Sequence, residues 1–202
     1  MKKTSPYFII FFLLMETGLY SQKPVQKDSY TFLVQTEEGD LNKDKRDDKV
    51  VLTIDLKDET RPLTVQIFLT QPDHKHKLVV SSTKLIESEY PKDKNGQHNG
   101  NTIPDFIIED GNLIMLTDIN SRKSRYEFRY KQNNFELIKI SRVIWDGKNT
   151  TSETEIDLLT KTKVEFDQEL GSDKILNKKV RKIKMDILPK IQDLSFSDLE
   201  EY

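Results

Sequence analysis

From residue 50 onward, apolar and polar positions alternate with a period of two and show little at the helical period. Val50, Leu52, Ile54 and Leu56 fall on one side of an extended chain, as do Leu63, Val65, Ile67 and Leu69. Asp58-Glu59-Thr60-Arg61-Pro62 breaks the pattern between them as a turn. Leu78 and Val80 mark a third strand after Gln71-Pro72-Asp73, and the stretch from Phe106 to Thr117 splits at Asp110-Gly111, the strongest hairpin signal in the chain. Tyr126, Phe128 and Tyr130 take one face of the next strand, with Arg125, Glu127, Arg129 and Lys131 on the other. Asn133-Asn134 turns into Phe135–Trp145, where the apolar register moves from Phe135 and Leu137 to Ile138 and Ile140. That shift predicts a bulge or burial on both faces.

After the turn Asp146-Gly147-Lys148-Asn149, alternation resumes at Thr154, Ile156 and Leu158, then at Thr162, Val164 and Phe166, and finally at Ile183, Met185 and Ile187. Short strands with turn signals at this spacing predict an all-β fold: an antiparallel sandwich, roll or barrel built from hairpin-connected strands. Residues 91–104 (Pro91 to Pro104) carry no packing pattern and read as a mobile loop. Ser195 to Tyr202 reads as a short helical turn, with Ser195 and Ser197 as suitable N-caps.

The N-terminus breaks this picture. Lys2 and Lys3 precede an unbroken apolar run from Tyr7 to Met15, and Gly18-Leu19-Tyr20-Ser21 offers a cleavage region. Residues 1–21 therefore read as a signal peptide, leaving 22–202 as a single β-rich domain. The run is shorter than the roughly 20 apolar residues that span a bilayer. The chain has no cysteine, which excludes disulfides, thiolate chemistry and a lipid anchor on a processed N-terminal cysteine. The expectation is a soluble exported protein, periplasmic or secreted, neither membrane-spanning nor lipid-anchored. Lys and Arg number 32 against 34 Asp and Glu, a near balance that argues against a nucleic-acid partner.

One segment has the composition of an ion site. Asp40-Leu41-Asn42-Lys43-Asp44-Lys45-Arg46-Asp47-Asp48 places oxygen-bearing side chains at positions one, three, five and nine, namely Asp40, Asn42, Asp44 and Asp48. A tight loop points alternate side chains inward, the carbonyl of Arg46 adds a donor at position seven, and Lys43 and Lys45 project to solvent. Calcium takes six to eight hard oxygen ligands of this kind. The segment GDLNKDKRDD running into KVVLTIDL resembles the integrin-type calcium loop of FG-GAP and VCBS-repeat proteins, D-x-[DN]-x-[DN]-G-x-x-D before a strand. The later RPLTVQIFL and YEFRYKQNNFELIKI resemble small exported β-rich proteins carrying one such loop. The resemblance implies calcium at residues 40–48 and an all-β fold, and it implies no reaction. Lys45 stands where the family has glycine in a left-handed turn, at a cost of about 1–2 kcal/mol, which places the expected Kd near the extracellular-module range of order 10⁻⁴–10⁻³ M.

Other candidates have simpler explanations. His74 and His76 share a side of a strand but find no third ligand in the sequence, and His98 lies in the 91–104 loop. Glu153, Glu155 and Asp157 line one strand face, where a solvated surface is the expected role rather than the paired carboxylates of a hydrolase. The basic run Lys178 to Lys184 reads as lysine protection of an edge strand, and Trp145 as a core or rim residue. The expected function is therefore a non-catalytic binding or structural protein stabilised by one calcium ion, with a protein or cell-surface glycan as partner. The alternatives are an inhibitor or immunity protein acting on a toxin or hydrolase and, last, a hydrolase.

Overall fold

A computed structural model describes residues 32–202; the signal peptide expected at 1–21 lies outside them. Among the described residues, eleven strands form two antiparallel sheets. β1 (Phe32–Gly39), β2 (Asp48–Ile54), β3 (Leu63–Thr70) and β4 (His76–Ser82) make the first, in chain order. β5 (Asp105–Glu109), β6 (Asn112–Ile119), β7 (Arg122–Lys131), β8 (Asn134–Trp145), β9 (Thr150–Asp157), β10 (Thr162–Glu169) and β11 (Ile175–Lys182) make the second, also in chain order. The fold is all-β, with two separate sheets rather than a closed barrel. Among the described residues no helix is long and apolar enough to cross a membrane.

Tight turns set this meander. Asp110-Gly111, Asn120-Ser121 and Gln132-Asn133 each join two strands with both residues at positive φ, the backbone that matches the twist of flanking strands. The Asn120-Ser121 turn had no clear sequence signal, and the β7–β8 turn falls one residue before Asn133-Asn134. The predicted bulge is Ile138: Glu127 pairs with Lys139 and Phe128 with Leu137, leaving Ile138 extra and largely buried.

The core lies between the sheets. Val50, Leu52 and Ile54 of β2 and Leu63, Val65 and Ile67 of β3 share it with Leu113 and Met115 of β6, Tyr126 and Phe128 of β7, and Leu137 and Ile140 of β8. Leu56 does not continue the β2 alternation and is exposed, because the strand ends at Ile54 and the buried Asp55 caps a turn by accepting the Lys57 N–H. Leu78 is exposed while Val80 is buried, because a register shift in the β3–β4 pairing makes Val79 the extra residue. The sheets also meet at their edges, where Gly39 of β1 lies so close to Ile108 of β5 that an added Cβ would stand 3.0 Å from its Cγ2.

The final strand differs from expectation. Residues 183–187 are not a strand, and Ile187 is 79% exposed. The preceding basic run forms β11, since an edge strand needs backbone pairing but no apolar alternation. The chain then returns across the start of β8, which β9 leaves free: Leu137 N–H donates to the Pro189 carbonyl and Ile191 N–H to the Phe135 carbonyl. The predicted helical turn is α1 (Phe196–Glu201), capped by a reciprocal Ser195–Asp198 box and anchored by buried Leu199. Arg142 holds the Leu199 carbonyl, and Arg122 pairs with Glu200. The 91–104 segment is irregular apart from one 3₁₀ turn at Lys92–Lys94, and Asn99 ties it back to Ser88 and Glu89.

Candidate calcium loop

The β1–β2 connection wraps around its own carboxylates. Asp40 accepts backbone N–H bonds from Asp44 at 3.0 Å and Lys45 at 2.7 Å, while Asn42 Oδ1 also accepts from Asp44 N–H. Asp44 accepts the Arg46 N–H, and its other oxygen takes the Asn42 amide and the Arg46 guanidinium. These bonds bend the chain sharply enough to put both Lys43 (φ 63°) and Lys45 (φ 66°) in the left-handed region. The position where the integrin-type pattern has glycine thus adopts a glycine-like backbone with lysine in place. Lys43 and Lys45 are exposed, as expected of outward positions.

Asp48 is fully buried and has a clamping role that the sequence did not reveal. Its two oxygens accept the N–H groups of Leu41 at 3.0 Å and Thr70 at 2.8 Å, joining the loop to the end of β3. Burial pushes its carboxyl above the ordinary carboxylate value; the two N–H bonds oppose that shift, and the nearby Asp44 and Asp40 carboxylates add to it. Leu41, buried in the core, pins the loop from below. An apolar residue inside an otherwise polar turn was the available signal. Arg46 fastens the other side by donating from Nε to the Thr70 carbonyl at 3.2 Å.

Asp40, Asn42, Asp44 and Asp48 thus share one loop, but the Arg46 guanidinium stands on Asp44, and both Asp48 oxygens are committed to backbone. Among the described residues no three His, Asp or Glu side chains converge closely enough to hold a metal as they stand. The Arg46 guanidinium thus occupies an Asp44 oxygen that the expected calcium loop would offer to a cation.

The remaining candidates are dispersed. His74 occupies the β3–β4 turn, His76 opens β4 with Nδ1 3.1 Å from Thr70 Oγ1, and His98 packs edge-on against Tyr90. Glu153, Glu155 and Asp157 stand at alternate positions of β9, in register with Val143, Ser141 and Lys139 on the face turned away from the first sheet. Trp145 is a rim residue, 59% exposed, with Nε1 donating to the Lys148 carbonyl. No family model matches the chain, and no curated protein or solved structure matches it.

Proposed function

We propose that the chain is an exported, non-catalytic binding or structural protein whose β1–β2 loop takes one calcium ion. The observation that carries this reading is the backbone of the loop. Lys45 holds the left-handed conformation of the sixth position, while Asp40, Asn42, Asp44 and Asp48 offer hard oxygen donors within nine residues. These four side chains and the Arg46 carbonyl would hold the ion. The ion would neutralise carboxylates that already push the Asp48 carboxyl upward, and would fix the chain's entry into β2. At a hundredfold excess over Kd, bound calcium stabilises a fold by about 2.7 kcal/mol. Export rests on the signal-peptide pattern of residues 1–21, and the partner is a protein or a cell-surface glycan.

The position of Arg46 favours a second reading, in which its guanidinium is the loop's own cation, neutralising Asp44 and tying the loop to Thr70. Calcium titrated into the EDTA-treated protein during thermal melting, with magnesium as control, separates the two. A saturable, calcium-selective rise in Tm that Asp44→Ala abolishes supports the ion. A flat response through the millimolar range leaves Arg46 in that role.

A further inference from the structure

Strands β9 to β11 extend the second sheet to an edge that no other strand among the described residues covers. Every residue of β10 is half-buried, and all of β11 except Leu176 is exposed. Strand pairing places Ser141, Glu155, Val164 and Val180 in one row on the outer face, with Val143, Glu153 and Phe166 beside it. Trp145, Thr151, Gln168 and Ile175 form the next row on that face. Beyond Glu153 and Glu155, this end of the face therefore carries a small apolar patch of Val164, Phe166 and Val180, the last 62% exposed. Among the described residues the sheet order stops at β11, so one side of its backbone pairs with β10 and the other with no described strand.

The charge on this edge has one sign. Lys178, Lys179, Arg181 and Lys182 lie in β11 without an acidic residue among them. Glu165, opposite Lys179 in the strand register, pairs with Arg181 and offsets part of the charge from the inner side. Asp167 stands opposite Leu176 and accepts from Ser152 and Asn177. Lys178 makes no ion pair among the described residues, and Lys182 reaches only Thr160 and Thr162. Lysines on an edge discourage pairing with a second copy, because like charges directly opposite one another repel. The same charges favour a strand of opposite sign. Added strands gain affinity from main-chain hydrogen bonds and specificity from alternate side chains.

We propose that β11 is a strand-addition site for an extended, acidic segment of a partner protein, with an apolar residue of that segment packed against Val180. The proposal rests on the binding reading above and is independent of calcium. Lys178 and Lys182 flank Val180 on the outer face, while Lys179 and Arg181 lie on the inner face. An acidic strand therefore meets positive charge on both sides of its pleat.

The test uses the purified protein and a short acetylated peptide of alternating Glu and Val. Expected results are saturable binding that weakens as salt rises, amide-exchange protection over 175–182, and at least a tenfold loss in the exposed double variant Lys178→Glu/Lys179→Glu. Peptides methylated on alternate backbone nitrogens, made in both phases, keep their charge but lose one set of donors; one phase should lose at least tenfold. Equal binding of both methylated peptides, of a Lys/Val peptide or of heparin overturns strand addition, as does absence of binding. The calcium-dependent melting shift, measured on the same charge-reversed variant, is expected to match that of the parent protein, so failure at β11 and failure of the ion reading are distinguishable.

Discussion

The side-chain carboxamide of Gln35 pairs with both backbone groups of Phe106: its Nε2 donates to the carbonyl at 2.7 Å, and the Phe106 N–H donates to its Oε1 at 3.0 Å. Gln35 sits at the bulge in the β1–β2 pairing, and Phe106 is buried in β5. An amide side chain thus does what a neighbouring strand would do, joining the edge of the first sheet to the edge of the second.

Gln35→Ala leaves two part-buried backbone groups without this partner and is expected to cost about 1–3 kcal/mol. Gln35→Glu keeps an acceptor for the N–H but sets a carboxylate against the Phe106 carbonyl. Its folded-state pKa should rise, so this variant regains stability as pH falls through that value. Urea midpoints at constant m, measured near neutral and mildly acidic pH, check both variants. A midpoint for the alanine variant equal to the parent would show that the seam holds without the amide.

Legibility in the sequence follows burial. β2, β3 and β7 each bury one face, so Val50–Ile54, Leu63–Leu69 and Tyr126–Phe128 wrote their strands in alternation, and Ile138 recorded the bulge as a register change. β1 was hidden for the opposite reason, and β11 showed only through the lysines that marked it as an edge strand. Phe32, Leu33, Ile175 and Val180 are exposed, and backbone pairing rather than an apolar face holds both edges. The loop's donors were visible as spacing. The clamp from Asp48 to Thr70 and the approach of Arg46 to Asp44 were not, since both depend on the β3 end folding beside the loop.

Thr117 Oγ1 and Ser124 Oγ are buried and find no hydrogen-bond partner among the described residues, although the two residues are paired across β6 and β7. Replacing an unsatisfied hydroxyl by an apolar group of the same shape removes a desolvation cost. Thr117→Val is therefore expected to stabilise by about 1 kcal/mol, raising Tm by roughly 2–4 °C. A fall in Tm in calorimetry would mean that the hydroxyl is satisfied in solution.

The end of the chain should respond to acid. Hydrogen bonds from Ser195 hold the Asp198 carboxyl below its ordinary value of 3.8. A carboxyl whose pKa is lower in the folded state contributes stability above the unfolded value, and that contribution is lost as pH falls through the folded one. α1 is therefore expected to fray below about pH 3.8 while the sheets persist. Amide exchange at residues 196–202, followed from pH 6 to pH 3, should show this loss in the parent and a smaller change in Asp198→Asn. Parallel profiles for the two proteins would assign the fraying to another group.

Lys45 and Arg46 should affect the loop in opposite ways. The hydrogen bonds to Asp40 and Asn42 hold Lys45 in a left-handed backbone, so its strain is expected to burden the loop with or without an ion. Lys45→Gly relieves about 1–2 kcal/mol of strain and gives back up to about 1 kcal/mol in chain entropy. A net gain of about 0.5–1 kcal/mol is expected in EDTA, and the increment produced by calcium should not change. Arg46→Gln instead removes the guanidinium that stands on Asp44. It should lower Tm in EDTA, where the Asp40, Asp44 and Asp48 carboxylates lose their neutralising partner, and enlarge the calcium increment, because the ion no longer competes with an internal cation. Paired melts of both variants with EDTA and with millimolar calcium decide the matter. If Lys45→Gly enlarges the increment and Arg46→Gln does not, loop strain rather than the guanidinium limits access of the ion.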